Sequence, residues 1–442
     1  MQLSGRPGRA RSLGSEGMAA TGSGERLLFR DVRVFDGESA DLVHGDVLID
    51  GDRIEAVSGS PIGEAPGRRT VVVDGGGRVL MPGMSDAHVH LVGNANSYLD
   101  LLTGTQAHIA LNGTAEARNM LLRGFTAVRD MAGDTASIKT AIDRGQFPGP
   151  RIYPCQAAIS QTSGHGDFGF VYDTPTELGG VENRSEAIGF MRIANGESQV
   201  LAAVREQLKR GASQIKLMVG GGAASMYDPL YTVQFTAREL RAAVDAATDY
   251  GTYVATHVYN VTGIRRAIEA GVKSIEHGHL ADKDTVALMA ERDVWLSMQP
   301  FAEDDHHYPD PDRAEKNREI CGGVEQVYGW ARKHGVRVAF GTDLLLEPES
   351  AARQSAMAAR LADYFGNLEA LRMLTSGNAR LFRLAGERDP YRDAPFGVIA
   401  PGAWADVLLV DGNPLEDLSL LADPDKHLDV IVKGGVVHKN TL

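Results

Sequence analysis

Apolar and polar positions alternate over short stretches at both ends of the chain, in LLFRDVRVFDG (27–37), DVLIDGDRIEAV (46–57) and TVVVDGGGRVLMPG (70–83). A period of two marks half-buried strands, and Asp36-Gly37, Asp50-Gly51 and Asp74-Gly75 supply the positive φ that hairpin turns need. The same texture returns only in FGVIAPGAWADVLLVDGNP (396–414) and HLDVIVKGGVVHKN (427–440). Two β-rich ends so far apart predict one small β-sandwich completed by both, from residues 26–82 and 386–442.

Between them, residues 83–385 alternate apolar β-branched runs with helical patterns. The predicted strands are 84–90, 125–131, 151–160, 214–219, 253–258, 274–278, 294–299 and 336–343, eight in all. Amphipathic stretches separate them, among them SQVLAAVREQLKRG, TARELRAAVDAATDYG, TGIRRAIEAG and DKDTVALMAERD. Each ends near Gly or a charged turn, as helices do. Eight strand–helix units in about 300 residues predict an α/β fold of the TIM (β/α)8 barrel type. An open doubly wound sheet is the alternative, but no glycine fingerprint follows the first strand.

Composition narrows the function. Among 442 residues, 45 Lys and Arg face 58 Asp and Glu, a net charge of −13. With no local basic patch, such a surface repels phosphate backbones and anionic lipid, so neither nucleic acid nor a membrane is an expected partner. No apolar run reaches the roughly 18 residues of a membrane span. Residues 1–25 contain six glycines and Arg6, Arg9 and Arg11 but no apolar core for a secretory signal, and read as a flexible tail, with Met18 an alternative start. Two cysteines, Cys155 and Cys321, make no disulfide framework, and a cytoplasmic location is the default.

The candidate chemistry lies at predicted strand ends. His88 and His90 are two apart, so both project from one face of the first strand and could share a metal. Lys216 lies in the fourth strand, His257 ends the fifth, His277 the sixth and Asp343 the eighth. These are the rim positions where a barrel gathers catalytic groups. A lysine in an apolar strand either pairs with a carboxylate such as Asp343 or reacts with carbon dioxide to a carbamate, whose two oxygens can bridge two metals.

This set of His-x-His, Lys, His, His and Asp on successive strand ends resembles the binuclear branch of the amidohydrolase superfamily, over about residues 26–442. The resemblance implies that His88, His90 and Asp343 hold the more buried metal and that His257 and His277 hold the more exposed one, with carboxylated Lys216 bridging them. Zinc suits these ligands, with manganese and cobalt as alternatives. It further implies a hydroxide shared by the two ions as the nucleophile, with Asp343 as general base.

Two loops refine the resemblance. Gly164, His165, Gly166 and Asp167 follow the third strand, where His165 could donate a hydrogen bond to a ligand. Gly220–Gly222, Tyr227 and Tyr231 follow the fourth, without the Lys-Ser/Thr ending of a phosphate loop. With QIKLMVGGGAASMYDPL and SMQPF, they are similar to Xaa-Pro dipeptidases, to carboxypeptidases acting on N-acyl amino acids and above all to ochratoxin-degrading amidohydrolases. The implied substrate is a small amide with a free carboxylate, possible examples including ochratoxin A split to ochratoxin alpha and phenylalanine. Tyr231 is the implied partner of the scissile carbonyl or the carboxylate, with Tyr227 the alternative and His165 a second donor. A homo-oligomer, such as an octamer, is also implied.

His306 and His307 sit in a polar loop that reads as a lid, Met218, Met289 and Met298 read as core, and neither cysteine has a basic cluster to activate it. A hydrolase or deaminase of cyclic amides on the same barrel is the first alternative, and an inactive scaffold is the second.

Overall fold

The computed structural model describes residues 25–63, 68–225 and 227–442, so all but the last residue of the predicted tail lies outside the described residues. The first strands are β1 (Arg26–Val34), β2 (Val43–Asp50), β3 (Arg53–Ser58), β4 (Thr70–Asp74) and β5 (Val79–Pro82). The middle of the chain forms β6 (Met84–Val89), β7 (Phe125–Asp130), β8 (Arg151–Pro154), β9 (Ala158–Ser160), β10 (Met191–Ile193), β11 (Ile215–Met218), β12 (Val254–Asn260), β13 (Ser274–Leu280), β14 (Trp295–Ser297) and β15 (Val338–Ala339). The last are β16 (Val407–Val410), β17 (Leu428–Lys433) and β18 (Val436–Asn440).

One mixed sheet joins the two ends in the order β18-β17-β16-β5-β1-β2-β3, with β4 also paired to β1. Its seam is β5 against β16, antiparallel, with Leu80 opposite Leu409. Strand alternation then sorts the side chains. Leu80, Val407 and Leu409 pack into a cluster with Phe29, Val47 and Ile54, while Met81, Leu408 and Val410 join the large core of the middle portion. At the β17–β18 hairpin, Gly434 and Gly435 both have positive φ, which only glycine adopts freely.

The middle strands are all parallel and lie in two sheets, β6-β7-β8 and β10-β9-β11-β12-β13-β14-β15. The protein is thus α/β, and strands buried on both faces read as continuous apolar runs. The predicted third strand is broken between Pro154 and Ala158, where Gln156 takes a φ of +63°. Its first half pairs with β7 and its second with β10 and β11. Strand β10 lies outside the predicted set. The predicted eighth strand keeps only Val338–Ala339, but its extension bonds to the first: Ala87 N–H donates to Phe340 O (2.8 Å) and Asp343 N–H to His88 O (2.8 Å). Ala87, Ala127, Ala255 and Ala339, from strands of both sheets, share an apolar cluster with Phe382 and Phe396 from the segment beyond the last long helix.

Helices occupy all four quoted amphipathic stretches, at Glu197–Lys209, Ala237–Asp249, Val261–Ala270 and Lys283–Glu291. Thr236, Asn260 and Asp282 cap three of them by accepting N–H bonds from Glu239, Gly263 and Thr285. In Ala237–Asp249 the buried side is Leu240, Ala242, Ala243, Ala246 and Ala247, a stripe at helical spacing. Each helix returns the chain to start the next parallel strand, so the C-terminal strand ends collect on one side.

Candidate active site and metal centre

That side gathers the six predicted strand-end residues. His88, His90, Lys216, His257 and His277 are buried, and the Asp343 side chain is 14% exposed. Asp343 Oδ1 lies 2.9 Å from His90 Nε2 and 3.3 Å from His88 Nε2. Its other oxygen, Oδ2, is 3.8 Å from His277 Nδ1. Lys216 Nζ stands 3.3 Å from His88 Nε2. His257 packs edge-on against His277, with 4.4 Å between ring centroids, and stacks on His165 at 3.9 Å. His277 and Asp343 both take left-handed backbone, φ +74° and +53°. Such strain in non-glycine residues persists only where the surroundings enforce it, and it concentrates at functional sites.

The strand ends are held by carboxylates. Asp86 accepts bonds from the backbone N–H of His88 (3.0 Å) and Thr342 (3.1 Å), from the Thr342 hydroxyl (2.7 Å) and from the Gln354 amide (3.0 Å). It thereby ties the strand bearing His88 to the turn bearing Asp343. Glu276 Oε2 sits 2.9 Å from His88 Nδ1 and accepts from Arg129 Nη2 (2.7 Å). Gln299 Oε1 holds His277 Nδ1 at 2.8 Å.

Electrostatics follow from this packing. Burial lowers the His88 pKa to about 4, reinforced by the Lys216 charge. Burial and neighbouring cationic groups push His257 and His277 well below the usual histidine range. All three rings are therefore neutral at pH 7, the form that binds metals. Burial also pulls the Lys216 amine down to about 8. Burial works in the opposite direction on Asp343, but His88, His90 and Lys216 hold its carboxyl well below the usual carboxylate range.

These residues fit a divalent ion. The ligand atoms of His88, His90 and Asp343 lie within 4.8 Å of one another. Donors about 2.0–2.1 Å from a tetrahedral zinc stand roughly 3.3 Å apart, close to the spacings found here. A carboxylate on the remote nitrogen of a ligating ring, as Glu276 is on His88, is the usual outer partner of such a ligand.

The cluster lines an inner cavity of about 40 Å³ that also includes His165, Tyr259 and Tyr308. An outer chamber of about 410 Å³ adjoins it, and the two share Phe168, Ala224, His306, Tyr308 and Leu345. His165 Nδ1 is engaged by Ser225 Oγ (2.7 Å) and Asp228 Oδ2 (3.0 Å), which leaves Nε2 as its unengaged ring nitrogen. Tyr227 lines the outer chamber. Tyr231 lines neither cavity: the turn closed by Thr232 N–H on Pro229 O carries it outward, and it is 80% exposed.

Several participants escape the sequence pattern. Glu276 and Asp86 are acids within apolar strands, the same signal that marks Lys216. His306, read as part of a lid, lines both cavities. Cys155 and Cys321 are free thiols whose pKa values burial raises, the latter to about 12.

Residues 79–437 match the Amidohydrolase family. Ochratoxinase of Aspergillus niger is 33% identical over 374 residues, spanning 82% of this chain and 76% of the relative. A prolidase solved with N-methylphosphonate-L-proline superposes with a TM-score of 0.85 at 33% identity, covering 94% of this chain and 100% of the other. A Xaa-Pro dipeptidase with methionine bound in its active site gives a TM-score of 0.79 at 28% identity, with coverage of 94% and 100%.

Proposed function

The chain belongs to the amidohydrolase family, as a hydrolase of carbon–nitrogen bonds, and from this we propose that it cleaves the amide of N-acyl amino acids or dipeptide-like compounds bearing a free carboxylate, ochratoxin A among them. The observation that carries this reading is the convergence of His88, His90 and Asp343 in a small cavity opening into a larger chamber with five Phe and Tyr side chains among its walls. The inner space suits a scissile bond, and the outer one suits the groups on either side of it.

His88, His90 and Asp343 would hold one divalent ion, and His257 and His277 a second, with zinc the metal best matched to these donors. Lys216, its amine pulled down by burial, would carry the bridging carbamate: the neutral amine adds carbon dioxide and releases one proton. Bound ions supply Lewis acidity and bring the pKa of water toward neutrality. Asp343 would take the proton of the attacking water at Oδ2, the oxygen not shared with His88 and His90, and pass it to the leaving nitrogen. His165, held at Nδ1 by Asp228, would donate from Nε2 to the carbonyl oxygen as charge develops there. Tyr227 is better placed than exposed Tyr231 to touch the substrate.

We further read the two parallel sheets as one TIM barrel of residues 83–385, which the backbone bonds from Ala87 and Asp343 and the shared alanine cluster support. Residues 26–82 and 386–442 then form the β-sandwich. A cytoplasmic homo-oligomer completes the proposal, and no helix among the described residues is long and apolar enough to cross a membrane.

The test is metal content together with a screen of N-acyl amino acids and hydantoins. Two metals per chain and turnover of N-acyl-L-phenylalanine or -proline compounds are expected. Hydrolysis of hydantoins alone would select the cyclic-amide alternative, and metal-free, inactive protein would select the scaffold.

A further inference from the structure

The outer chamber must receive most of any substrate, because the inner cavity holds about 40 Å³ against its 410 Å³. Its walls include Tyr98, Phe168, Phe170, Tyr227 and Tyr308, and its one arginine is Arg313. The Arg313 guanidinium lies over the Tyr308 ring, 4.7 Å from the centroid, and its Nε donates to Ala223 O at 3.0 Å. Neither terminal nitrogen has an acidic or carbonyl partner among the described residues. The chamber's own acids are engaged elsewhere: Asp167 accepts from Ser163 N–H (2.8 Å) and Gly169 N–H (3.2 Å), and Glu347 from His307 N–H (3.4 Å).

The support behind Arg313 is fixed. It sits on the helix Pro311–Gly322, whose Lys316 Nζ donates to Gly222 O (3.1 Å), Ser225 O (3.4 Å) and Asp228 O (3.3 Å). One helix thus presents the guanidinium and anchors the loop that carries Tyr227 and the partners of His165. In a chain with an excess of 13 negative charges, a half-buried arginine without an ion pair among the described residues is an anion site in waiting. Its planar fork matches a carboxylate with two parallel hydrogen bonds, and the aromatic wall weakens competing hydration.

We infer that Arg313 anchors the substrate carboxylate, and that the chamber selects carboxylates borne next to an aromatic or other planar group. This rests on the amide-hydrolase reading above. It assigns to Arg313 the role that exposed Tyr231 would otherwise fill, and leaves His165 to the carbonyl.

The experiment compares N-benzoyl-L-phenylalanine with N-benzoyl-L-phenylalaninamide in the metal-loaded wild type, Arg313→Gln and Arg313→Lys, each first matched for metal content and melting temperature. Wild type should prefer the acid by about 10- to 100-fold in kcat/KM, the range of a charge-assisted pair. Arg313→Gln should lose that preference through a raised KM for the acid, and Arg313→Lys should recover part of it. An acid-to-amide ratio unaltered in Arg313→Gln overturns the inference. Calorimetric binding of N-benzoyl-L-phenylalanine separates the two readings. Tight binding to wild type and not to Arg313→Gln, without hydrolysis, upholds the anchor while the hydrolytic assignment fails. Equal binding, or none to wild type, overturns the anchor.

Discussion

Arg129 and Glu276 form a wholly buried ion pair, with Nη2 2.8 Å from Oε1 and 2.7 Å from Oε2. The same carboxylate meets His88, and the guanidinium also donates through Nε to Ala87 O (2.6 Å). A charge pair so placed orients one ring of the candidate metal centre from beneath.

Glu276→Gln should therefore act twice. It leaves Arg129 without its counter-charge, a loss of about 3–5 kcal/mol for a broken buried pair. It should also weaken metal binding by about 10- to 100-fold through a misdirected His88. Urea unfolding of the metal-free protein reads the first effect, and chelator competition reads the second. Unchanged metal affinity would remove Glu276 from any role at the site.

Lys216→Ala removes the amine proposed to carry the bridging carbamate. Metal content should fall by about one or both ions, with nearly all activity lost, and short-chain carboxylic acids should restore part of it by occupying the vacated place. Elemental analysis and turnover with added propionate provide the check. Two retained metals with normal turnover would refute the binuclear assignment.

Asp343→Asn keeps the size and one oxygen but cannot accept a proton, so kcat should fall by about 10²-fold or more. Substrate binding should change less. Near-normal kcat would assign proton transfer to another group, with His165 next in line.

Gly222 faces the His165 ring so closely that a Cβ there would lie 2.2 Å from Cε1. Gly222→Ala should push the ring off its stack with His257 and lower kcat/KM by about 10²-fold, the penalty of a misplaced catalytic group. Metal content should hold, because the ligand strands are untouched. A fully active variant would mean that His165 does not contact the substrate.

Acid should destabilise the metal-free protein through its buried histidines, with buried Asp86, raised to about 6, offsetting part of the loss by taking up a proton in the fold. Burial lowers His88 and His279 to pKa values of about 4, against about 6.5 in an unfolded chain. Above pH 6.5 both states hold these rings neutral and the full stability is present. As pH falls from 6.5 toward 4, the unfolded chain binds protons that the fold refuses, and stability drops. Urea midpoints at pH 7.5, 6.5 and 5.5 should decline across the last interval. A flat series would mean that these rings are charged in the fold or that proton uptake by Asp86 and Asp130 cancels their effect.

The convergence of the six candidate residues was legible because each interrupts an apolar run at the point where a strand ends, and polarity in such a run demands a reason. The four quoted amphipathic helices were legible from their stripes and caps. The break between Pro154 and Ala158 was not, because Cys155, Gln156 and Ala157 continue a buried segment and the kink resides in the φ of Gln156, which is not a glycine. The outward turn of Tyr231 was hidden for a similar reason: it depends on a local turn in which the N–H and hydroxyl of Thr232 both donate to Pro229 O. Arg313 was invisible because its meaning lies in the acidic partner it lacks among the described residues, and only the folded arrangement reveals that.

The pairing of Leu80 with Leu409 has a temporal side. During synthesis β5 leaves the ribosome long before β16 exists, so the nascent chain carries an open strand edge through the making of the whole middle portion. Chains stopped short of Val407 would keep that edge permanently, with its N–H and C=O groups free to template pairing with a neighbour. For this protein, late truncation is a route to aggregation even when every residue of the candidate active site has already been made.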